Sequence, residues 1–334
     1  MSFQNIFTDG VLVDLDIHKW TGERSLQAED LGLRKEQLPA TFKLGQKSLI
    51  PKEVIQEFTH IDYLARKLLT DMSFPFAFGN ARFVPKKMFK DFVDKLENLQ
   101  QRFMNSVDSL IINYERYKLE VRPEYVKAAH SAFARFSKFN EDFEEEKNAF
   151  INDFLERVAG FYPDVTTIRK RFSMNFVVFQ MAMPDLSQAG IEDVVSDTAK
   201  ADLIKATYQD ALYEKVQEYV NNIVGELRTK AATVLKLVQG NIKEGKRISE
   251  ATLNMIKNMV EDYGKMDIVG DTEFYNRICE FRKKYVDPYD AKQLRGSPVI
   301  QKEMLVELTA LVDIATSNSE ISAVADAYKK KIQL

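Results

Sequence analysis

The side chains that most often perform acid–base, metal or nucleophilic chemistry are few in this sequence. It contains three histidines and one cysteine, namely His18, His60, His130 and Cys279. None of them has a second histidine or cysteine at the spacing of a zinc site. Glu57 and Asp62 lie near His60, but carboxylates are expected there by chance in a chain with 29% charged residues. We therefore predict neither catalytic nor metal-binding residues.

The lone cysteine and the densest acidic run both have structural explanations. Cys279 lies in an amphipathic helical pattern, Arg277 to Phe281, where a thiol usually packs as a small hydrophobic group. A single cysteine also excludes a disulfide scaffold. Residues 141–146 carry five carboxylates around Phe143. We expect these to fan into solvent, whereas hydrolases need two carboxylates facing each other across a substrate.

The sequence has no glycine-rich motif that would hold a phosphate group or a nucleophile. Neither GxxxxGK[ST] nor GxGxxG occurs, and GxSxG is absent as well. We therefore predict no cofactor and no enzymatic activity. The alternative is an enzyme whose site is assembled from scattered side chains. It would place His18 or His60 beside carboxylates in a deep polar pocket.

The charge balance argues against general nucleic-acid binding. With 47 basic and 50 acidic residues, the net charge of −3 gives no strong attraction to polyanions. Short basic clusters occur at Arg169-Lys170-Arg171 and at Lys329-Lys330-Lys331. The second cluster suits the carboxyl end of a helix. Arg169, Lys170 and Arg171 are therefore the candidate nucleic-acid contacts of an alternative function.

An aromatic segment, Ser73 to Pro85, is the most distinctive local feature. It is interrupted by Gly79-Asn80, which predicts a loop leading into a short strand. If the loop is exposed, it would bind a protein partner. The candidate partner-binding residues are Phe74, Phe76, Phe78, Arg82 and Phe83. The alternative is a loop that folds onto the core.

The elements before this loop indicate a small α/β base. Residues 10–20 alternate, with Val11, Val13, Leu15 and Ile17 on one face, which predicts a half-buried strand. A helical turn is predicted at 28–37 and a second short strand at 41–50. Pro51 then occupies the first position of a helix that runs to about Met72.

Helical periodicity dominates the rest of the chain. A long helix is predicted from Pro85 to a break at Val121-Arg122-Pro123, and a second from Val126 to Val158. Their short connection makes them antiparallel neighbours. A third helix, from Leu203 to a C-cap at Gly240, is expected to cover their Phe-rich seam. Four shorter helices are predicted at 248–263, 272–285, 298–316 and 320–332.

One apolar segment stands out between the second and third long helices. Residues 172–183 contain Phe176-Val177-Val178-Phe179 and end at Pro184, which predicts a central strand. The predicted fold class is mainly α: a long antiparallel coiled-coil-like bundle with a small α/β base. The predicted divisions are 1–84 with strand 172–183 (base), 85–162 (hairpin), 163–190 (return to the base), 191–240 (third helix) and 241–334 (compact helical cap).

The predicted location is the cytoplasm of a bacterium or of a phage-infected cell. Residues 1–5 lack the basic and apolar regions of a signal peptide, and no apolar run approaches the roughly 20 residues that span a bilayer. The polar helix faces mix both charge signs, which argues against a membrane-surface scaffold. The oligomeric state stays open, because a bundle within one chain and a coiled coil between chains share one periodicity.

Two adjacent segments carry a family resemblance. The run Trp20-Thr21-Gly22-Glu23-Arg24-Ser25-Leu26, followed by Ala28-Glu29-Asp30-Leu31-Gly32-Leu33, resembles a family from bacteriophages, plasmids and bacteria. The long helices and the late apolar strand are similar as well. That family is known only as a domain of unknown function, and the resemblance brings no catalytic residues.

The resemblance also implies which genes lie near the gene of this protein. Genes of such proteins often lie near those of MoxR-type AAA+ ATPases and von Willebrand A-domain proteins, which implies an adaptor in a remodelling assembly. We therefore predict a non-enzymatic adaptor or scaffold that binds a protein, needs no cofactor and is a component of a phage or mobile element. The alternative is a phage-encoded binder of DNA or of a host nucleic-acid enzyme.

Overall fold

The computed structural model describes residues 9–27, 45–76, 81–136, 143–180, 198–246 and 248–331. The chain divides into two compact units, each assembled from separate stretches. The first unit comprises Met1–Asp14, Lys67–Lys95 and Phe176–Leu334, and the second comprises Leu15–Arg66 and Leu96–Asn175. The divisions predicted at residues 84, 162, 190 and 240 stay a prediction. The predicted turn at 28–37 lies outside the described residues.

The secondary structure is mainly helical, as predicted, with a small antiparallel sheet. The strands are β1 (Gly10–His18), β2 (Glu23–Ser25), β3 (Gln46–Ser48), β4 (Phe74–Pro75), β5 (Arg82–Pro85) and β6 (Ser173–Phe179). The first helices are α1 (Lys52–Asp71), α2 (Lys86–Ile112), α3 (Tyr114–Phe136), α4 (Phe143–Ala159) and α5 (Val165–Arg169). The later helices are α6 (Thr198–Lys243), α7 (Glu250–Met266), α8 (Thr272–Tyr285), α9 (Ala291–Gly296), α10 (Pro298–Thr316) and α11 (Asn318–Lys331). None of the helices in the described ranges has both the length and the apolar character needed to cross a membrane.

The main sheet has four strands in the order β4-β5-β1-β6. β1 runs antiparallel to β5, with Leu12 opposite Phe83, and β5 runs antiparallel to β4, with Phe83 opposite Phe74. Gly10 allows a close approach within this sheet, since a Cβ atom there would lie 2.3 Å from the Phe83 ring. The predicted first strand is therefore confirmed.

Among the described strands, β6 lies at an edge of the sheet, so the prediction of a central strand was wrong. A continuous apolar run is typical of strands that are buried on both faces, and this pattern led to the error. β6 ends at Phe179, and the predicted continuation from 181 to 183 lies outside the described residues.

The predicted helix break at Val121-Arg122-Pro123 was also wrong. The interruption is at Asn113, and Pro123 lies inside α3. Pro123 cannot donate a hydrogen bond to the carbonyl group of Leu119. This turn of α3 is exposed, since Arg122, Pro123 and Glu124 all face solvent. Water can therefore hydrate the carbonyl group, and the helix continues.

The helical hairpin of the second unit consists of α3 and α4. Their contact is an apolar cluster of Ala129, Ile151, Phe154 and Val158. This differs from the prediction, which paired the helix starting at Pro85 with the helix ending near Val158. The difference follows from the break at Asn113, because α3 rather than α2 is the described helix that directly precedes α4.

The long helix α6 is the centre of the first unit. It packs against α7, α10, α11 and β4. The predicted C-cap at Gly240 was wrong, because α6 continues to Lys243. It ends in a Schellman motif: Gly245 has a φ of 64°, and the Lys246 amide donates to the Asn241 carbonyl at 2.8 Å. Helices α7, α8, α10 and α11 lie within three residues of their predicted bounds, whereas the short helix α9 was not predicted.

A buried ion pair joins α6 to the amino end of α8. Arg228, only 1% exposed, donates to both carboxylate oxygens of Asp271 at 2.6 and 3.0 Å. The Tyr263 hydroxyl donates to the same carboxylate at 2.7 Å, and Arg228 also donates to the Ile314 carbonyl at 3.2 Å. Helices α6, α7, α8 and α10 are therefore connected through one carboxylate and one guanidinium group.

We predict that Asp271→Asn lowers the free energy of unfolding by about 3 kcal/mol, because it leaves the Arg228 charge buried without its counter-charge. Urea unfolding followed by circular dichroism measures the change. The matched control is Glu273→Gln, since Glu273 pairs with Arg277 on the surface. Its effect should be about 0.5 kcal/mol or less. Equal effects of the two substitutions would contradict the role given to the buried pair.

Candidate partner-binding surface

The exposed end of β6 is the most unusual surface feature of the described chain. Val177, Val178 and Phe179 are 60%, 39% and 42% exposed, although they are consecutive large hydrophobic residues. The interior strands β1 and β5 are buried at Leu12, Val13, Phe83 and Val84. Contiguous apolar surface of this kind marks interaction sites more often than isolated exposed hydrophobic residues do.

The two faces of β6 differ in their contacts. Successive side chains of a strand alternate between its faces, so Phe176 and Val178 share one face, and Val177 and Phe179 share the other. The Phe176 ring packs edge-to-face on Phe92 of α2, with ring centroids 6.2 Å apart. The face with Val177 and Phe179 is the more exposed of the two.

The two outer strands of the sheet are protected very differently. β4 has only two residues and contacts α6, and short length and coverage by a helix both prevent edge-to-edge pairing. β6 has seven residues, Ser-Met-Asn-Phe-Val-Val-Phe, without a charged residue or a proline. Among the described strands, none pairs with its outer edge. Among the described residues, the outer edge of β6 is therefore unpaired and lies beside exposed apolar side chains.

The aromatic segment after α1 folds inward. Phe74 and Phe83 are buried, and Phe76 is half-buried. The rings of Phe76 and Phe83 pack edge-to-face on Tyr219 of α6, with centroids 5.4 and 6.3 Å apart. Phe78 lies outside the described residues. Of the two alternatives for this segment, a docking loop and a loop folded onto the core, the described residues match the second.

Arg82 connects the two ends of the aromatic segment. Its Nε donates to the Ser73 hydroxyl at 2.7 Å, and its Nη2 lies 4.0 Å from Glu226 of α6. The Ser73 hydroxyl in turn donates to the Leu69 carbonyl. Burial lowers the pKa of Arg82, and Glu226 opposes this effect. The polar contacts of this candidate residue are thus internal.

Lys230 caps the carboxyl end of α1 by donating hydrogen bonds to main-chain carbonyl groups. Its Nζ donates to the carbonyl groups of Thr70, Asp71 and Ser73 at 2.6, 3.0 and 2.9 Å. Carbonyl groups at the end of a helix lack partners within the helix, and a cation there also suits the helix dipole. Burial lowers the pKa of Lys230 to about 8, so the ammonium form still predominates at neutral pH.

The Tyr219 hydroxyl is a buried polar group for which the described residues provide no hydrogen-bond partner. Burial raises its pKa. Tyr219 contributes its ring to the packing under the aromatic segment.

The predicted nucleic-acid contacts are on the surface of the second unit. Arg169, Lys170 and Arg171 are exposed at the end of α5. Arg169 forms an ion pair with Asp108 of α2 at 2.9 Å. The pairing reduces the charge that this cluster offers to a phosphate backbone.

The histidines and the cysteine are not brought together. His18 lies 3.1 Å from Asp16, and both side chains are exposed. His60 and His130 are exposed on α1 and α3. Cys279 is half-buried on α8 beside Tyr275, whose pKa is raised by the hydrogen bond between the two side chains. Within the described ranges, no three histidine, cysteine or carboxylate residues are arranged to hold a metal ion.

We predict that Lys230→Met lowers the free energy of unfolding by about 2 kcal/mol, because the carbonyl groups of Thr70, Asp71 and Ser73 each lose one donor. Differential scanning calorimetry would show a lower Tm. Lys236→Met is the matched control, because Lys236 is exposed on the same helix. Its effect should stay within about 0.5 kcal/mol. If Lys236→Met destabilised the protein equally, the three hydrogen bonds of Lys230 would not contribute measurably.

Comparison with known proteins identifies the family. The family described as "Protein of unknown function (DUF3150)" matches residues 8–272. No curated protein and no solved structure matches significantly. The match covers most of the chain, including the sheet, the helical hairpin and α6, so the chain belongs to this family.

Proposed function

We propose that this DUF3150 protein is a non-enzymatic adaptor or scaffold that binds another protein through strand β6. The observation that carries the proposal is the exposed, uncharged end of an outer strand, at Val177, Val178 and Phe179. The proposal does not use Phe74, Phe83 or Arg82, because the two rings are buried and Arg82 forms internal hydrogen bonds.

The binding mode that suits this edge is strand addition. An extended segment of the partner would receive main-chain hydrogen bonds from β6, while the side chains of Val177 and Phe179 contact its alternate residues. Hydrogen bonds between main chains supply affinity with little dependence on sequence. The exposed side chains on both faces of β6 supply selectivity for an apolar segment.

The finer part of the proposal concerns the partner. The family resemblance implies that the partner is an AAA+ ATPase or a von Willebrand A-domain protein, in a phage or mobile-element system in the cytoplasm. The sequence contains no phosphate-binding glycine motif, so the partner would supply ATP hydrolysis. Coiled-coil-like packing of α3 on α4, which includes Phe154, would make this helical hairpin a rigid part of the scaffold.

The alternative function is binding of DNA or of a host nucleic-acid enzyme. It depends on Arg169, Lys170 and Arg171, which are exposed. The ion pair between Arg169 and Asp108 weakens this alternative, because only part of a three-residue cluster would then contact phosphates.

We predict that the Val177→Lys, Phe179→Lys double variant loses its protein partner. Tagged full-length protein would be recovered from its native cells with and without ATP, and the bound proteins identified by mass spectrometry. The control is Val299→Lys with Val306→Lys, since these residues are 68% and 66% exposed on α10. Recovery of an AAA+ ATPase by wild type and control alone supports the proposal. Equal recovery by both double variants excludes β6 as the binding edge.

For the alternative, we predict that the wild-type protein binds duplex DNA no better than a variant with Arg169, Lys170 and Arg171 all changed to Glu. Fluorescence anisotropy of a labelled duplex at physiological salt measures the difference. Three basic residues supply little affinity at this ionic strength. Micromolar wild-type binding that disappears in the variant would favour the alternative.

A further inference from the structure

We propose that the second unit binds a small zwitterion with an apolar body, of the chemistry of an apolar amino acid or its dipeptide, in a cleft between α3 and α4. Its walls include Lys118, Leu119 and Arg122 on one side and Leu155, Glu156 and Tyr162 on the other. This interhelical cleft contains no residue of β6. The inference therefore goes beyond the proposed function and does not depend on it.

The interhelical cleft has the size and the composition of a small-molecule site. Its volume is about 560 Å³. Such sites usually have volumes of roughly 300–1,000 Å³, apolar walls and a few polar groups that orient the ligand. Leu119 is exposed, Leu155 is half-buried and Val158 is buried, so the apolar wall continues inward to the core of the hairpin.

Two of the charged side chains in the cleft already neutralise each other. The Lys118 Nζ donates to the carboxylate of Glu115 at 2.7 Å. It also lies over the rings of Tyr114 and Tyr162, 4.3 and 5.3 Å from their centroids. The face of an aromatic ring attracts a cation. These contacts fix one end of the cleft, and the pair offers no net charge to a ligand.

Arg122 and Glu156 are the charges that the cleft leaves unpaired. They lie on opposite walls, on α3 and α4. Among the described residues, neither forms an ion pair with the other or with a third residue. A guanidinium group matches a carboxylate, and a carboxylate matches an ammonium group. A ligand with one charge of each sign therefore complements both walls, whereas an anion or a cation complements only one.

Helix α3 departs from regular helical hydrogen bonding on the same wall. Pro123 cannot donate to the carbonyl group of Leu119, and Leu119 lines the cleft. Departures from such local rules concentrate at functional or strained sites. The carbonyl group is a further acceptor on this wall, and an ammonium group is a donor that suits it.

Isothermal titration calorimetry of the full chain with L-phenylalanine tests the proposal. We expect a dissociation constant of about 0.1–1 mM for a ligand of this size. N-acetyl-L-phenylalanine lacks the ammonium charge, and L-phenylalaninamide lacks the carboxylate. Each should bind about tenfold more weakly, because one charged hydrogen-bonding group of the cleft loses its partner. L-alanyl-L-phenylalanine, titrated in parallel, shows whether a free amino acid or a short peptide fits better.

Two variants assign each end of the ligand to one wall. Arg122→Gln should remove the preference for phenylalanine over its amide, and Glu156→Gln should remove the preference over the N-acetyl compound. Both residues are exposed, so circular dichroism should show no change in the fold. The matched controls are Arg116→Gln on α3 and Glu145→Gln on α4, which are exposed outside the cleft. They should keep both preferences.

Two results would overturn the proposal. The first is no binding of phenylalanine or of the dipeptide up to about 10 mM. The second is binding whose two preferences survive in both Arg122→Gln and Glu156→Gln. Neither result changes the expected recovery of a cellular partner, because these substitutions leave Val177 and Phe179 intact.

Discussion

The structure of the first unit depends on how α6 is fixed by two basic residues two positions apart. Arg228 binds the fully buried carboxylate of Asp271, and Lys230 binds three carbonyl groups where α1 ends. Residues two apart on a helix point to nearly opposite sides. The contacts of Arg228 and Lys230 therefore hold α6 on two opposite sides at nearly the same position along its axis. This position places Tyr219 against Phe76 and Phe83 and covers the β4 side of the sheet.

That arrangement makes the sheet asymmetric. One outer strand, β4, is short and lies against α6, while the other, β6, is longer, uncharged and exposed at Val177 to Phe179. The functional proposal follows from this asymmetry rather than from any group of reactive side chains. The histidines are separate and exposed, and the buried tyrosines Tyr219 and Tyr263 have pKa values raised by burial. The family match spans residues 8–272 and therefore includes all strands of this sheet.

Much of the fold could be predicted from the sequence because its signals are local. The alternation of Val11 to Ile17 identified β1, and the helix after Pro51 begins at Lys52. The break at Asn113 has no proline or glycine to signal it, and Pro123 misled because an exposed turn tolerates a hydrated carbonyl group. The candidate site was harder to predict, since an apolar run indicates a strand but does not indicate which strands lie beside it in the sheet. The pairing of Arg228 with Asp271 spans 43 residues, and only the folded chain brings the two together.

Hydrogen–deuterium exchange of the β6 amides, measured with and without the protein partner, tests the central claim most directly. Exchange follows the availability of main-chain groups, so an unpaired outer edge exchanges quickly and a paired one slowly. The account predicts that a peptide covering Val177 to Phe179 becomes protected when the partner is added, while α10 peptides are unchanged. Rapid exchange of that peptide within an isolated complex would contradict the claim that β6 is the interaction edge.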